Sequence, residues 1–238
     1  MLKATEATFA ISQLLREDLQ SRTDRPVIYS PNAVSSEFVD RMRGKDLSLP
    51  ADLAAVPRPI VGCTGQINET YDWPMLAELV SAMPDVSFVF IGPVAAPSPE
   101  VQTRIDGVLK GRSNVHWLGA KPHDELPKYL RGFDVCLNPL APGPHADRRS
   151  PLRLYDFLAT GKPVASTAIH EASSHEGHVW IGRDAAEIEA IIRSALSGHR
   201  RVDAESRKEY LRRNTWQFRA RKLLEMIESI TPKTPGAC

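Results

Sequence analysis

Six short, almost unbroken apolar runs recur between residues 59 and 182, with helix-like stretches between them. They read "PIVGCTG" (59–65), "VSFVFIG" (86–92), "NVHWLG" (114–119), "DVCLNPL" (134–140), "PVAST" (163–167) and "HVWIG" (178–182). A strand with one wet face alternates apolar and polar residues, whereas a continuous apolar run has both faces covered. Such runs alternating with helices predict a parallel sheet layered by helices on both sides. Six units give an α/β, Rossmann-like, doubly wound six-stranded sheet. Ligands in that architecture lie beyond the carboxyl ends of the strands. The loops at 65–72, 92–99, 119–123 and 141–150 are therefore the places to look for chemistry.

The flanks are less regular. "ATFAIS" (7–12) and "PVIYS" (26–30) read as strands around a helix that Ser12 can cap, and "PNAVSSEF" reads as turns. Residues 43–58 carry no clean period and read as a connector. Helical patterns at 184–196, 203–213 and 215–230 close the chain. The organisation expected is a preceding segment at 1–42, a connector at 43–58, a nucleotide-binding-type domain at 59–213, and a last helix with a tail at 214–238. The 238 residues suit one large domain with extra elements.

Several function classes drop out. A net charge of +1 provides no basic field for nucleic acid. "TGQINE" after the first apolar run has a single glycine, so the GxGxxG fingerprint of a redox dinucleotide is missing. The seven histidines form no pair at ligand spacing on one helix, and the three cysteines do not cluster, so neither a metal site nor a disulfide framework is expected. Cys63 and Cys136 sit in strand runs and read as buried thiols, and Cys238 is the last residue; a reducing compartment is the simplest reading. The N-terminus lacks a signal-peptide core, and no run approaches the ~18 apolar residues of a spanning helix. A soluble, cytoplasmic chain is expected, with peripheral contact at the inner face of the membrane left open. The arginine-rich stretch "GHRR" with "DAESRKEYLRRNTW" is interleaved with acids and reads as a solvated helix face.

The fourth loop runs into "RRSPLRLYDFLATGKPVAST" (148–167). Ser150 suits an N-cap and Pro151 the first helical position, while Gly161 and Pro163 suit the end. A helix start at the end of the fourth strand offers free N–H groups and the positive end of the dipole, which favour a phosphate. Arg148 and Arg149 add charge and bidentate donors. Asp156 lies five residues beyond Pro151, roughly 7–8 Å along the axis at 1.5 Å per residue. That suits a carboxylate accepting from the ribose hydroxyls of a nucleoside diphosphate. The competing reading is an Arg153–Asp156 ion pair, worth only about 0.2–0.5 kcal/mol and in the less favoured order. Gly65 after the first strand suits ligand-contacting backbone or a tight turn equally well, whereas Gly92 and Gly119 could bring backbone to a base or sugar but more often such glycines mark plain turns.

"NVHWLGAKPHDELPKYLRGFDVCLNPL" followed by "SPLRLYDFLATGKPVAST" resembles the C-terminal half of GT-B glycosyltransferases, closest to the retaining family 4 group of bacterial polysaccharide type. Residues 7–38 resemble the end of that fold's N-terminal domain, with Pro31–Val34 for its "PNGV" loop, and "NTWQFRARKLLEMIE" its returning helix. The resemblance implies a domain that binds a UDP- or GDP-sugar donor, with no further cofactor and no metal. Asp156 matches the second acid of the family's E-x7-E motif, whereas Arg148 stands at the first. Arg153 matches the lysine of relatives reading "SPLKLYEYLA". The implied donor-site residues are Gly65, Gln66, Gly119, Lys121, Arg148, Arg149, Ser150, Leu152, Arg153 and Asp156. No catalytic residue is assigned, and Gln66 replaces an expected arginine. The acceptor is unknown, and its domain is expected to lie outside this sequence, fused or on a partner chain. A noncatalytic interaction module, one half of a two-chain transferase, a homo-oligomer and a GT-B epimerase fragment remain alternatives.

Overall fold

In a computed structural model, residues 5–44, 48–175 and 177–230 are described. The expectations for the tail beyond residue 230, Cys238 included, lie outside them. A small parallel pair comes first: β1 (Thr8–Ala10), α1 (Gln13–Gln20) and β2 (Val27–Tyr29). Ser12 caps α1 by accepting from the Leu15 N–H. The stretch read as turns contains a helix, α2 (Ser36–Arg43), because Ser35 caps it and Phe38, Val39 and Met42 form a buried stripe. The connector holds one helical turn, α3 (Ala51–Ala54), anchored by the buried Leu53.

The main domain follows as β3 (Ile60–Thr64), α4 (Trp73–Ala82), β4 (Ser87–Ile91), α5 (Pro99–Leu109), β5 (Val115–Trp117), α6 (Leu126–Gly132) and β6 (Val135–Asn138). It continues with α7 (Pro144–Asp147), α8 (Leu152–Ala159), β7 (Val164–Thr167), α9 (His170–Ser173), β8 (Val179–Gly182) and α10 (Ala185–Leu196), then α11 (Ala204–Arg213) and α12 (Trp216–Ile230). The short helix α7 interrupts the loop read at 141–150, and α9 lies between the fifth and sixth apolar runs.

All six strands pair in parallel in the order β5-β4-β3-β6-β7-β8. Every residue of β3, β4, β6 and β7 is buried, as continuous apolar runs require. Right-handed crossovers then fix the helices. From β3 the chain winds toward β5 and from β6 toward β8, so the winding reverses between β3 and β6. At that switch point the flanking loops part, leaving a crevice above the two carboxyl ends.

The N-terminal pair is stitched to this crevice. Val34 bridges Thr215: its N–H donates to the Asn214 carbonyl at 3.0 Å, and its carbonyl accepts from the Trp216 N–H at 3.0 Å. The incoming segment and the start of α12 thus meet at one residue. Cys63 and Cys136 are buried free thiols. No helix among the described residues is long and apolar enough to cross a membrane.

Candidate functional site

A cleft of about 610 Å³ opens at the carboxyl ends of β3 and β6. Thr64, Gly65, Gln66, Asn68 and Thr70 supply one side, and Arg149 to Arg153 with Asp156 supply another. Residues from Asn32 to Phe38, with Ile11, His123, Leu126, Leu140 and Trp216, complete the lining. Two loops expected to contribute do so at their ends, the third through His123 and the fourth through Arg149 and Ser150.

The start of α8 differs from expectation. Ser150 does not cap it; Pro151 occupies the cap position, and no side chain accepts from the first turn. The reason is that the Ser150 hydroxyl is committed elsewhere. It accepts from the Asn32 N–H at 3.1 Å and donates to Glu171 Oε1 at 3.1 Å. Tyr155 and Tyr29 hydroxyls donate to the same carboxylate at 3.1 and 3.2 Å. Glu171 is fully buried. Burial raises its pKa, while the hydroxyl donors pull it back. One carboxylate thereby locks α8, α9 and β2 together, and the uncapped N–H groups of α8 are left at the cleft.

Arg153 leaves α8 toward β3. Its Nη1 donates to the Tyr71 hydroxyl at 2.7 Å, and its guanidinium lies 4.8 Å over the Tyr71 ring. Tyr71 is held by stacking on Trp73. Burial pushes the Tyr71 hydroxyl and the Cys63 thiol well up, so both neighbours of the guanidinium are neutral. Gly65 makes room for it. Its φ is +109°, and a Cβ there would stand 2.9 Å from Arg153 Nη2. Gly92 is equally constrained, with a would-be Cβ 2.0 Å from the Gly65 carbonyl oxygen.

Asp156 stands on the same helix and lines the same cleft. Among the described residues it has no hydrogen bond and no ion pair, so the Arg153–Asp156 pair does not form. Burial alone raises its carboxyl from 3.8 to about 7.

Of the ten residues expected at a donor site, the cleft gathers Gly65, Gln66, Arg149, Ser150, Leu152, Arg153 and Asp156. Gly119 lies two residues past the edge strand β5, two strands from the switch point, where its carbonyl accepts from the Gly92 N–H at 2.9 Å. Lys121 pairs with Asp52 of α3 at 2.7 Å and lies over the Tyr129 ring. Arg148 is the exposed residue ending α7 and does not line the cleft. Neighbouring Asp147 accepts from the His170 N–H at 2.8 Å, bracing α9. Asn32, Phe38, His123 and Trp216 were not foreseen. Asn32, Phe38 and Trp216 reach the cleft from elements outside the six-strand rhythm, and His123 from the end of the loop after β5. No group of three His, Cys, Asp or Glu side chains among the described residues could hold a metal ion.

The family model described as "Glycosyl transferases group 1" matches residues 58–197, the whole βα core around this cleft and more than half of the chain. The chain belongs to that family. A stretch of 114 residues is 31% identical to a Bacillus subtilis protein named teichuronic acid biosynthesis glycosyltransferase TuaH, covering 48% of this chain and 28% of that protein. Solved structures share the fold at low identity. A Rickettsia africae glycosyltransferase superimposes with a TM-score of 0.74 at 16% identity, over 98% of this chain and 65% of that one. Trehalose 6-phosphate synthase from Burkholderia multivorans gives 0.73 at 14% identity, over 96% and 61%. HepE of Anabaena, solved with UDP and glucose, gives 0.69 at 14%, over 94% and 63%. The chain therefore has the C-terminal half of the GT-B fold. It spans less than a third of its curated relative and about three-fifths of these structures.

Proposed function

We propose that the cleft binds a nucleotide-diphospho-sugar of UDP or GDP type, as the donor half of a retaining glycosyltransferase for polysaccharide or glycoconjugate synthesis. The observation that carries this reading is the pair Arg153 and Asp156. Opposite charges on one helix face one cleft, and neither has a charged partner among the described residues. The uncapped N–H groups of α8, with Arg153 and Arg149, suit a diphosphate and the charge it gains on leaving. Asp156 suits ribose hydroxyls one to two turns further along. Helix and arginine charge supply what this step needs, so the reading invokes no metal and no cofactor.

Ile11, Leu152 and Trp216 are exposed apolar side chains on the cleft lining. An acceptor-binding domain, fused or on a partner chain, is the surface that would cover them. A cytoplasmic location with peripheral contact at the inner membrane face belongs to the same reading, and cell fractionation tests it. Titration calorimetry with UDP, GDP and their sugars tests the donor site. Binding is expected to fall about 10–100-fold in Asp156→Ala, the loss of one or two charge-assisted hydrogen bonds. No binding of any nucleotide at millimolar concentration sinks the reading.

A further inference from the structure

The opposite end of the sheet carries a second concentration of charge. Lys162 and Pro163 lead into β7, and Gly177 and His178 lead into β8, at the amino ends of the strands. Arg200, Arg201 and Arg207 close over them, and together these residues line a shallow concavity of about 10 Å³. The strands separate it from the donor cleft, which lies at their carboxyl ends.

The cations there meet neutral partners. Arg207 donates to the carbonyls of Gly161 (2.6 Å) and Val202 (3.2 Å), and Arg200 to those of Ala195 (3.2 Å) and His199 (2.9 Å). Arg201 lies 4.8 Å over the Trp180 ring. Among the described residues no carboxylate forms an ion pair with Lys162, Arg200, Arg201 or Arg207. Asp203 is the acid that acts on Arg207, but its Oδ1 accepts from the N–H groups of Glu205 and Ser206 at the start of α11 and its Oδ2 from the Ser206 hydroxyl. Burial and the neighbouring Arg200 both lower the Arg207 pKa, and burial, with Arg207 beside it, lowers that of His178. His178 Nδ1 is buried and makes no hydrogen bond among the described residues. Like charges are thus crowded, with Arg207 partly desolvated and no ion-pair partner among the described residues; Arg207 and Arg200 Nη1 are fixed on carbonyls, and the exposed Arg201, with the rest of the Arg200 fork and Lys162, presents donors to a ligand.

We infer that Lys162, His178, Arg200, Arg201 and Arg207 form a second anion site that takes a terminal phosphate group. The size selects the ligand class. A concavity of about 10 Å³ holds about one oxygen-sized sphere, so an anion seats an oxygen on its floor while the rest of the ligand stays outside. A phosphoryl group presents several charged acceptors to bidentate guanidinium donors, which fits. The group arrives either on a soluble phosphorylated molecule or on an anionic lipid headgroup.

The probe is inorganic phosphate, followed through the Trp180 indole and His178 ring resonances of the whole chain. A saturable shift of both signals is expected, at least about tenfold weaker in Arg200→Gln with Arg201→Gln and unchanged in Arg153→Met. Arg200 and Arg201 are exposed, so the double variant keeps its fold. Lys162→Gln, expected to weaken the same shift, gives a second reading. Flotation with phosphatidylglycerol-containing vesicles distinguishes the sources: binding lost in the double variant assigns a lipid phosphate, and a phosphate shift without flotation assigns a soluble one. Absence of a saturable shift up to high millimolar phosphate overturns the inference. So does a shift of equal strength in the double variant.

Discussion

Asp156→Asn is expected to stabilise the ligand-free protein, by an amount that depends on pH. In the unfolded chain this carboxyl titrates at the ordinary value of 3.8, and in the fold at about 7. A raised folded pKa means that the fold favours the protonated acid. The stability this contributes is therefore fully present below about pH 4 and is lost as pH rises through about 7. At about 1.4 kcal/mol per pH unit, the ceiling on that loss is about 4 kcal/mol. The carboxylate opens on a solvent-reachable cleft, and solvation trims the figure to about 2 kcal/mol. Asparagine keeps the shape and cannot ionise. Urea unfolding should then show the variant more stable than the parent by about 2 kcal/mol near pH 8, and equal to it near pH 4. Near pH 8 its melting temperature should rise by about 4–8 °C. Saturating nucleotide should erase the advantage, because only the parent carboxylate accepts from ribose hydroxyls. A stability difference that stays constant with pH refutes the reasoning, as does a variant less stable than the parent near pH 8.

Gly65→Ala should cost about 2 kcal/mol in chemical denaturation, from a φ of +109° and a Cβ 2.9 Å from Arg153 Nη2. It should also weaken nucleotide binding, and unchanged affinity would show that Arg153 does not serve the cleft. Glu171→Ala leaves three hydroxyls without their acceptor, so a loss of about 3 kcal/mol is expected, against about half that for Glu171→Gln; equal losses would contradict the account of that carboxylate. Arg153→Met should leave stability unchanged or raise it by about 1 kcal/mol, since a guanidinium without a counter-ion is removed from a partly buried site. In calorimetry the same change should lower diphosphate affinity at least about tenfold.

The six apolar runs made the sheet legible, because burial on both faces leaves no freedom to alternate. The crevice followed from topology, and Asp156 stood out because an acid in an apolar helix needs a reason. Four kinds of information stayed hidden. The four-residue helices α7 and α9 are too short for a period to show. Ser150 has the identity of a cap, yet Glu171, twenty-one residues later, claims its hydroxyl, and only the three-dimensional contact reveals that. Lys121 and Gly119 follow a strand in the sequence as Gly65 does, but their strand is at the sheet edge, so position in the sheet decides what position in the chain cannot. The arginines of residues 200–207 looked like a solvated face because acids alternate with them. The fold turns Glu205 toward Lys208 and Asp203 into a helix cap, and leaves the arginines together.

Arg153 and Asp156 are three residues apart on a helix, a spacing at which opposite charges ordinarily meet. Their failure to do so has a cost on both sides. Among the described residues Asp156 has no hydrogen bond, and Arg153 has only a phenol and a thiol within reach. Two further features hold them apart. Tyr71, fixed by Trp73, draws the guanidinium toward β3, and Gly65 gives up its side chain so that the guanidinium fits. A surface evolved for stability alone would let the pair collapse, gaining a few tenths of a kcal/mol and relieving a buried acid. Separation pays off only if something else occupies the gap with negative charge at one end and hydroxyl donors at the other. A nucleoside diphosphate has that distribution, and neither an inorganic phosphate nor a free sugar does. The ligand-free chain should accordingly be less stable than its double variant Arg153→Met with Asp156→Asn, and the difference should close as UDP or GDP is added. If the double variant is the less stable protein near pH 8, the two charges stabilise the fold through contacts of their own, and the gap between them is not evidence of a ligand.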